Sequence, residues 1–210
     1  MNEKASERAA MWDARYAPAP YASGEAANAF LVAQSHRFEP GMRALVPGDG
    51  EGRNGVWLAE QGLAVDTLDL SAQGVAKARR LAAARRVGLN AMQADALAWV
   101  WPRETYDVVA LIYLHLAADE RRFLHTKALS ALKPGGLLIL EAFRPEQLAA
   151  QAAGARCGPR EARLLYTLAD LAADFAGQDI LELAEASAVL DEGALHVGAS
   201  EVVRAIVRRV

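Results

Sequence analysis

From about residue 44 onward, the chain alternates short apolar runs with longer amphipathic stretches. Short apolar runs bounded by turn residues predict buried strands, whereas an apolar period of about 3.6 residues predicts helices. The pattern predicts strands over 44–46, 63–70, 90–94, 106–113 and 137–140, and helices over 54–61, 72–86 and 119–132. Strands that alternate with helices in this way are typical of a parallel sheet covered by helices on both faces.

The C-terminal part of the chain departs from this alternation. Two apolar segments, 178–186 and 202–210, are separated only by a short stretch in which Asp191-Glu192-Gly193 can reverse the chain. Strands joined in this way pair antiparallel, because a parallel pair needs a long crossover connection. We therefore expect an α/β, doubly wound, Rossmann-like sheet of seven mostly parallel strands with an antiparallel C-terminal hairpin. The sequence predicts one domain over residues 1–210, in which residues 1–40 cap the sheet.

Composition and charge narrow the range of functions. The 210 residues carry a net charge of -3, whereas nucleic-acid binders usually present a basic field, so we expect no nucleic-acid partner. No apolar run approaches the roughly 20 residues that span a bilayer, so we expect no membrane partner. Cys157 is the only cysteine, which suits a reducing compartment and predicts a cytoplasmic protein. Nothing in the sequence indicates an oligomeric state.

A glycine-rich turn follows the first predicted strand and opens the first long helix. It reads Pro47-Gly48-Asp49-Gly50-Glu51-Gly52-Arg53-Asn54. Glycines at such a position let the backbone turn sharply and approach a ligand closely. In open parallel sheets, ligands bind outside the carboxyl ends of the strands, which is where this turn is expected to lie.

Two ligand classes compete for this turn. A dinucleotide fingerprint has the form Gly-x-Gly-x-x-Gly, but here Arg53 holds the third glycine position and the extra glycine is Gly52. Asp49 and Glu51 would repel a pyrophosphate and would tolerate the sulfonium and ammonium groups of S-adenosylmethionine (SAM). The turn therefore favours SAM over the cofactor of an NAD(P)-binding oxidoreductase. A non-catalytic SAM-binding regulatory module stays open as a third alternative.

Two acids follow the next strands. Asp69 ends the second strand about 20 residues after the turn, where an acid can accept hydrogen bonds from ribose hydroxyls. It can also act only as a helix N-terminal acid, because Ser71 is a good N-cap for the next helix. Asp95 follows the third strand, where it either meets an adenine edge or is a solvated loop acid.

Five segments in order resemble the class I SAM-dependent methyltransferases. They are 48–54, Thr67-Leu68-Asp69-Leu70-Ser71, Gln93-Ala94-Asp95-Ala96, Tyr106-Asp107-Val108-Val109 and Leu132-Lys133-Pro134-Gly135-Gly136. The Gly-Glu-Gly-Arg-Asn piece, with Trp12-Asp13-x-Arg15-Tyr16 upstream, is similar to the small bacterial tellurite-resistance and thiopurine methyltransferases. The resemblance covers roughly residues 11–145 and implies a seven-stranded sheet, SAM as cofactor and S-adenosylhomocysteine (SAH) as product.

The resemblance also implies a set of cofactor contacts and no metal. The implied contacts are Gly48, Asp49, Gly50, Gly52, Arg53, Asn54, Asp69, Leu70, Ser71, Asp95, Ala96, Ile112 and Tyr113. Relatives usually carry an acid two residues before the first glycine, where it supports the methionine end of SAM. This chain has Val46 at that position, and Asp49 is a candidate to replace the acid.

Methyl transfer is an in-line displacement on an activated cofactor, so the protein mainly positions the acceptor and excludes water. A general base is needed only for a protonated alcohol or amine. His115, just after the fourth strand, is the candidate base and a candidate substrate contact, with packing as the alternative. Trp12, Tyr16 and Tyr21 either cover the pocket, where an aromatic face attracts the sulfonium cation, or are core residues that cap the sheet. Tyr21 is preferred among them as a substrate contact, and Arg144 is the other predicted substrate contact, since a guanidinium attracts an anion. Because the insertions are short, we expect the methyl acceptor to be a small molecule.

Overall fold

The computed structural model describes residues 3–210, so residues 1–2 of the predicted capping segment lie outside the described part of the chain. The helices are α1 (Glu3–Tyr16), α2 (Ala29–Ala33), α3 (Arg53–Glu60), α4 (Ala72–Arg85), α5 (Ala118–Ala131), α6 (Gln147–Ala152) and α7 (Leu168–Asp174). The strands are β1 (Arg43–Pro47), β2 (Ala64–Asp69), β3 (Asn90–Gln93), β4 (Tyr106–Ile112), β5 (Leu132–Phe143), β6 (Asp179–Glu192) and β7 (His196–Arg208). Short 3₁₀ turns lie at Ser35–Arg37 and Ala162–Leu164. None of the helices in residues 3–210 combines the length and the apolar character needed to cross a membrane.

The seven strands belong to one sheet, and the chain divides into two compact units, Met1–Val100 and Trp101–Val210. In the first unit the order is β3-β2-β1, and both pairs are parallel. In the second unit the order is β4-β5-β7-β6, in which β4 and β5 are parallel and the other two pairs are antiparallel. The expected mostly parallel, seven-stranded sheet with an antiparallel C-terminal hairpin is confirmed. The single domain over 1–210 stays a prediction.

In the first unit, the register brings the carboxyl ends of neighbouring strands to one edge. Pro47 at the end of β1 pairs with Leu68, and Asp69 at the end of β2 pairs with Gln93 at the end of β3. The expected N-cap of α4 is confirmed, because the Ser71 side chain accepts a hydrogen bond from the backbone of the helix's first turn. The residues that follow β1 and β2 are therefore neighbours, although about 20 positions separate them in the sequence.

In the second unit, the strand predicted over 137–140 is longer than the sequence indicates, and residues 133–136 belong to it. These residues lie inside β5, and the pairing of β4 with β5 jumps from Leu132 to Leu137. The extra residues form a bulge that β7 supports from its other side, because Gly135 N–H donates to the carbonyl of Arg209 over 2.8 Å. The hairpin is also longer than the apolar pattern indicated, since its half-exposed outer parts carry few large apolar side chains.

Candidate functional site

The glycine turn follows β1 at the carboxyl edge of the first unit. Gly48, Gly50 and Gly52 have φ angles of 69°, 57° and 92°, in the left-handed region that other residues rarely adopt. Gly48 N–H donates to the carbonyl of Leu68 over 2.7 Å, which fastens the turn to the end of β2. A Cβ on Gly52 would lie 2.5 Å from the Cβ of Ala78. The turn therefore depends on glycine for both its backbone conformation and its packing against α4.

Asp69 lies beside this turn and fixes its conformation. Its Oδ2 accepts a hydrogen bond from Gly50 N–H, and its Oδ1 accepts one from Ser71 N–H, both over 2.8 Å. Burial raises the pKa of Asp69 to about 6, and the two backbone hydrogen bonds partly oppose that rise. Each carboxylate oxygen has a second lone pair. The carboxylate can therefore hold the turn and still accept hydrogen bonds from a ligand.

Asp49 is directed toward the start of α3. Its Oδ2 accepts a hydrogen bond from Gly55 N–H over 3.0 Å, and its buried Oδ1 has no partner among residues 3–210. Burial raises the pKa of Asp49 to about 8, against the effect of the hydrogen bond from the Gly55 backbone. The contacts seen here are those of an acid that caps α3. The suggestion that Asp49 replaces the acid missing at Val46 stays a prediction.

Glu51 is neutralised within the protein. Its Oε1 lies 2.6 Å from the Nζ of Lys77, and both side chains are buried. The same Nζ donates to the carbonyls of Pro18 and Pro20 over 2.6 and 2.8 Å. The reasoning that both acids of the turn would present their charge to a ligand is therefore wrong for Glu51. The choice between a pyrophosphate and a sulfonium ligand cannot rest on that charge.

Arg53 and Asn54 use their side chains to hold the segment that leads into α2. The guanidinium of Arg53 donates to the carbonyl of Ala26 over 3.3 Å, and Asn54 Oδ1 accepts from Asn28 N–H over 3.0 Å. Both residues are buried. Any contact of these two residues with a ligand therefore runs through their backbone.

Asp95 and Leu70 lie at the same edge of the first unit. Asp95 Oδ1 accepts from Leu97 N–H over 2.9 Å, which stabilises the loop containing Ala96. The side chain of Gln93 donates to the carbonyl of Leu70 over 3.2 Å and links this loop to the end of β2. The structure thus gathers the predicted contacts of the first unit along one edge. Among residues 3–210, no group of three or more His, Cys, Asp and Glu side chains could hold a metal ion.

Ile112 ends β4 in the second unit, and Tyr113 follows it. Ile112 is buried, whereas Tyr113 is half-buried and has a φ of 54°. Tyr113 donates its hydroxyl to Glu141 Oε1 over 2.7 Å and stacks on Phe143 with ring centroids 4.6 Å apart. A bulky residue in the left-handed region stores backbone strain, and such strain clusters at functional sites.

His115 is fastened to the backbone through both ring nitrogens. Nδ1 donates to the carbonyl of Leu164 over 2.7 Å, and Nε2 accepts from Phe143 N–H over 3.2 Å. Burial lowers the pKa of His115 to about 4, and the hydrogen bond to Leu164 only partly offsets that effect. The ring is therefore neutral and its basic lone pair is already occupied. This geometry argues against the predicted roles of general base and polar substrate contact, and favours the packing alternative.

Arg144 has its charge balanced by three carboxylates. Its guanidinium lies 2.9 Å from Glu146, 3.3 Å from Glu185 and 2.5 Å from Glu201. An anionic substrate would have to displace one of these acids. The arrangement argues against the predicted substrate contact, and the acids that cause it are separated from Arg144 in the sequence by up to 57 positions.

Tyr21 is also engaged within the protein. Its hydroxyl donates to the carbonyl of Lys77 over 3.2 Å, and its ring packs against a cluster that includes Val56 and Leu81. These contacts argue against Tyr21 as the aromatic residue that meets a substrate. Tyr16, at the end of α1, instead lies against the glycine turn, because a Cβ on Gly50 would be 2.6 Å from its hydroxyl. Sequence reasoning preferred Tyr21, although Tyr16 belongs to the Trp12-to-Tyr16 motif that carries the family resemblance.

Comparison with known proteins finds a family model that matches the central region of the chain. Residues 44–136 match the family model described as a methyltransferase domain. No curated protein matches the sequence. The matched region begins in β1, contains the glycine turn and Asp69, and ends within β5.

Solved structures share the fold over nearly the whole chain. A structure from work on the conversion of a disulfide bond into a thioacetal group during echinomycin biosynthesis has a TM-score of 0.77 and 24% identity, with 96% of this chain and 91% of that chain covered. The N-methyltransferase NodS from Bradyrhizobium japonicum WM9, in complex with SAH, has a TM-score of 0.71 and 15% identity, with 96% and 97% covered. TehB from Haemophilus influenzae has a TM-score of 0.71 and 15% identity, with 88% of this chain and 63% of TehB covered.

Proposed function

We propose that this chain is a class I SAM-dependent methyltransferase and that it transfers the methyl group of SAM to a small-molecule acceptor. The methyltransferase match over residues 44–136 supports the expected enzyme class, and the SAH complex of NodS, which shares the fold, supports SAM as the cofactor. TehB, among the structures that share the fold, agrees with the resemblance to that bacterial branch. When bound, SAM supplies an electrophilic methyl group, and the protein contributes positioning and exclusion of water.

The observation that carries the proposal is the Asp69 carboxylate beside the glycine turn. It holds Gly50 N–H and Ser71 N–H over 2.8 Å and keeps lone pairs for a hydroxyl pair such as that of ribose. Asp69, Asp95 and the turn lie at the carboxyl edge of the first unit, where ligands of open α/β sheets bind. A nucleoside with a free ribose fits this site, because the Asp69 carboxylate can accept hydrogen bonds from the ribose and the glycine turn lets a ligand approach the backbone closely.

We assign the cofactor contacts to the backbone of the turn and to the residues that follow β2, β3 and β4. The proposed contacts are Gly48, Asp49, Gly50, Gly52, Arg53, Asn54, Asp69, Leu70, Ser71, Asp95, Ala96, Ile112 and Tyr113. Arg53 and Asn54 enter this set through their backbone, because their side chains already hold Ala26 and Asn28. The strained backbone of Tyr113 supports its inclusion.

The proposed chemistry uses no histidine base. His115 is neutral and bonded at both nitrogens, so its part is to hold Leu164 and Phe143 in place. Displacement at a sulfonium methyl proceeds without a base when the acceptor already carries a lone pair, as a thiolate or an oxyanion does.

Short insertions leave little surface for a macromolecular acceptor. We place the enzyme in the cytoplasm on account of its single cysteine, Cys157.

Isothermal titration calorimetry with SAH and with NADH tests the cofactor. We expect SAH to bind and NADH to give no heat. Asp69→Asn should weaken SAH binding by about tenfold or more, since a ligand hydroxyl pair loses a charged acceptor. Binding of NADH alone would contradict the proposal, and unchanged SAH affinity in Asp69→Asn would remove the ribose assignment.

A methyl-transfer screen tests the acceptor class on protein already shown to bind SAH. It would follow SAH formation with thiols, phenols, amines and inorganic oxyanions, and we expect turnover with at least one small molecule. A protein that binds SAH and turns over none of these classes, but methylates a protein or a nucleic acid, would refute the small-molecule assignment.

A further inference from the structure

The loop that joins β4 to α5, residues 113–117, begins with a strained residue. Tyr113 has a φ of 54°, in the left-handed region that residues with a bulky side chain rarely adopt. Strain of this kind persists only where the surrounding structure over-determines the local conformation. The hydrogen bonds made by the loop therefore show what keeps Tyr113 in place.

Tyr166 bonds to the backbone of this loop at two positions. Its hydroxyl accepts a hydrogen bond from Leu116 N–H over 2.8 Å and donates to the carbonyl of Leu114 over 3.0 Å. The side chain is buried, and burial raises the pKa of Tyr166 well above its ordinary value, so the hydroxyl keeps the proton that it donates. One side chain therefore fixes two backbone groups of a segment that contains no helix or strand.

Buried charges of α5 and α7 hold the Tyr166 ring. The guanidinium of Arg121 lies over this ring, 5.2 Å from its centroid. The same guanidinium lies 2.7 Å from Asp174 and 2.9 Å from Asp170. His125 Nδ1 lies 2.8 Å from Asp174, and the His125 ring meets the Tyr166 ring edge-on. The position of the hydroxyl is therefore set by two helices that pack together, and not by the loop to which it bonds.

We infer that Tyr166 is a positioning residue for cofactor binding, because its hydroxyl keeps the loop, and through it Tyr113, in the conformation that receives SAM or SAH. The inference rests on the proposed function, in which Tyr113 contacts the cofactor. Without the hydroxyl, the loop can relax and Tyr113 can leave its positive φ, so only a fraction of the molecules stays competent to bind. His115 acts differently, because its ring holds Leu164 and Phe143 and not the backbone of the loop.

Tyr166→Phe tests the inference, because it keeps the ring beneath Arg121 and removes both hydrogen bonds to the loop. Calorimetry on the full-length protein, at a temperature where circular dichroism shows it to be folded, gives the SAH affinity. We expect Tyr166→Phe to weaken SAH binding about 5- to 50-fold. Amide hydrogen exchange without ligand should become faster in residues 113–117 and stay unchanged in β1. Saturating SAH should slow this exchange again, because the ligand selects the conformation that binds it.

Ile206→Val is the matched control, because it removes one methyl group from a fully buried position in β7 and leaves the Tyr166 hydroxyl with both partners. It should lower Tm, while its SAH affinity and loop exchange stay within about twofold of wild type. Unchanged SAH affinity in folded Tyr166→Phe, or an equal loss in both variants, would overturn the inference and leave the proposed function intact. Rapid exchange of the Leu116 amide in the unliganded wild type would also overturn it, whether or not the variant folds. A wild type that does not bind SAH would overturn the proposed function as well.

Discussion

The buried ion pair between Lys77 and Glu51 should make a large contribution to stability. Its charged atoms lie 2.6 Å apart, and the two side chains are 4% and 2% exposed. Lys77 also donates to Pro18 and Pro20, so all three of its ammonium protons are used. Glu51 Oε2 in turn accepts from Ser23 N–H over 3.1 Å. The substitution Lys77→Met keeps the length of the side chain and removes only the charge and its donors.

The expected cost follows from what Lys77→Met leaves behind. Glu51 keeps its negative charge in a buried site and retains only the hydrogen bond from Ser23 N–H. Breaking a buried pair by removing one partner typically costs about 3–5 kcal/mol, because the remaining charge is uncompensated. For a chain of this size, each kcal/mol lowers Tm by about 2–4 °C, which gives a decrease on the order of 10 °C.

Urea unfolding followed by the fluorescence of the four tryptophans measures the change in the free energy of unfolding. The matched control is Arg208→Met, which breaks the 3.1 Å pair with Asp179, where both side chains are nearly half exposed. That exposed pair should contribute less than about 1 kcal/mol. The double variant Lys77→Met/Glu51→Gln should recover part of the loss, because it removes the stranded charge. If Lys77→Met cost no more than Arg208→Met, the burial argument would be refuted.

Three further predictions concern the turn, Asp69 and His115. Gly52 and Gly41 both have a φ near 90°, but a Cβ added at Gly52 would lie 2.5 Å from Ala78, whereas one added at Gly41 would meet nothing within 4 Å. Gly52→Ala should therefore lower Tm far more than Gly41→Ala and should abolish SAH binding. Equal shifts in thermal unfolding would contradict the steric argument. Burial raises the pKa of Asp69 to about 6, and ribose binding needs the ionised carboxylate. The SAH affinity measured by calorimetry should therefore be constant above a pH of about 6 and should fall as the pH drops below about 6. A flat affinity profile down to a pH of about 5 would contradict the ribose assignment. His115→Phe keeps the ring stacking but leaves the Leu164 carbonyl and the Phe143 N–H without hydrogen-bond partners. It should therefore lower the free energy of unfolding in urea by about 2–5 kcal/mol, while turnover per folded molecule stays within a few-fold of wild type. A loss of turnover in a fully folded variant would support His115 as the general base. The pKa of His115 is lowered to about 4, so its contribution to stability is fully present above its ordinary value of 6.5 and is lost as the pH falls toward 4, and His115→Phe should lack this part of the acid destabilisation.

The order of the elements and the place of the glycine turn could be predicted from the sequence. Strands that are buried on both faces, such as 106–113, can be recognised in the sequence because nearly all of their residues are apolar. The turn requires positive φ angles at positions 48, 50 and 52, and glycine adopts such angles without steric cost. Because this requirement is local, the glycines alone mark the turn in the sequence. The bulge at 133–136 could not be predicted, because its stability depends on Arg209 more than 70 positions later.

The sequence alone therefore determined the strand-and-helix order, the turn and the acid that follows β2, since these follow from periodicity and local conformation. The tertiary structure decided which of the polar side chains are free to act. From the sequence, Glu51, His115 and Arg144 all have the character of functional groups, yet each of them bonds a partner at least 26 positions away, and Arg144 also pairs with the nearby Glu146. Tyr16 is the converse case, because the packing of the N-terminal helix against the start of α4 brings its hydroxyl to the turn. Hydrogen-bond satisfaction depends on distances between remote segments, and only the folded chain sets those distances.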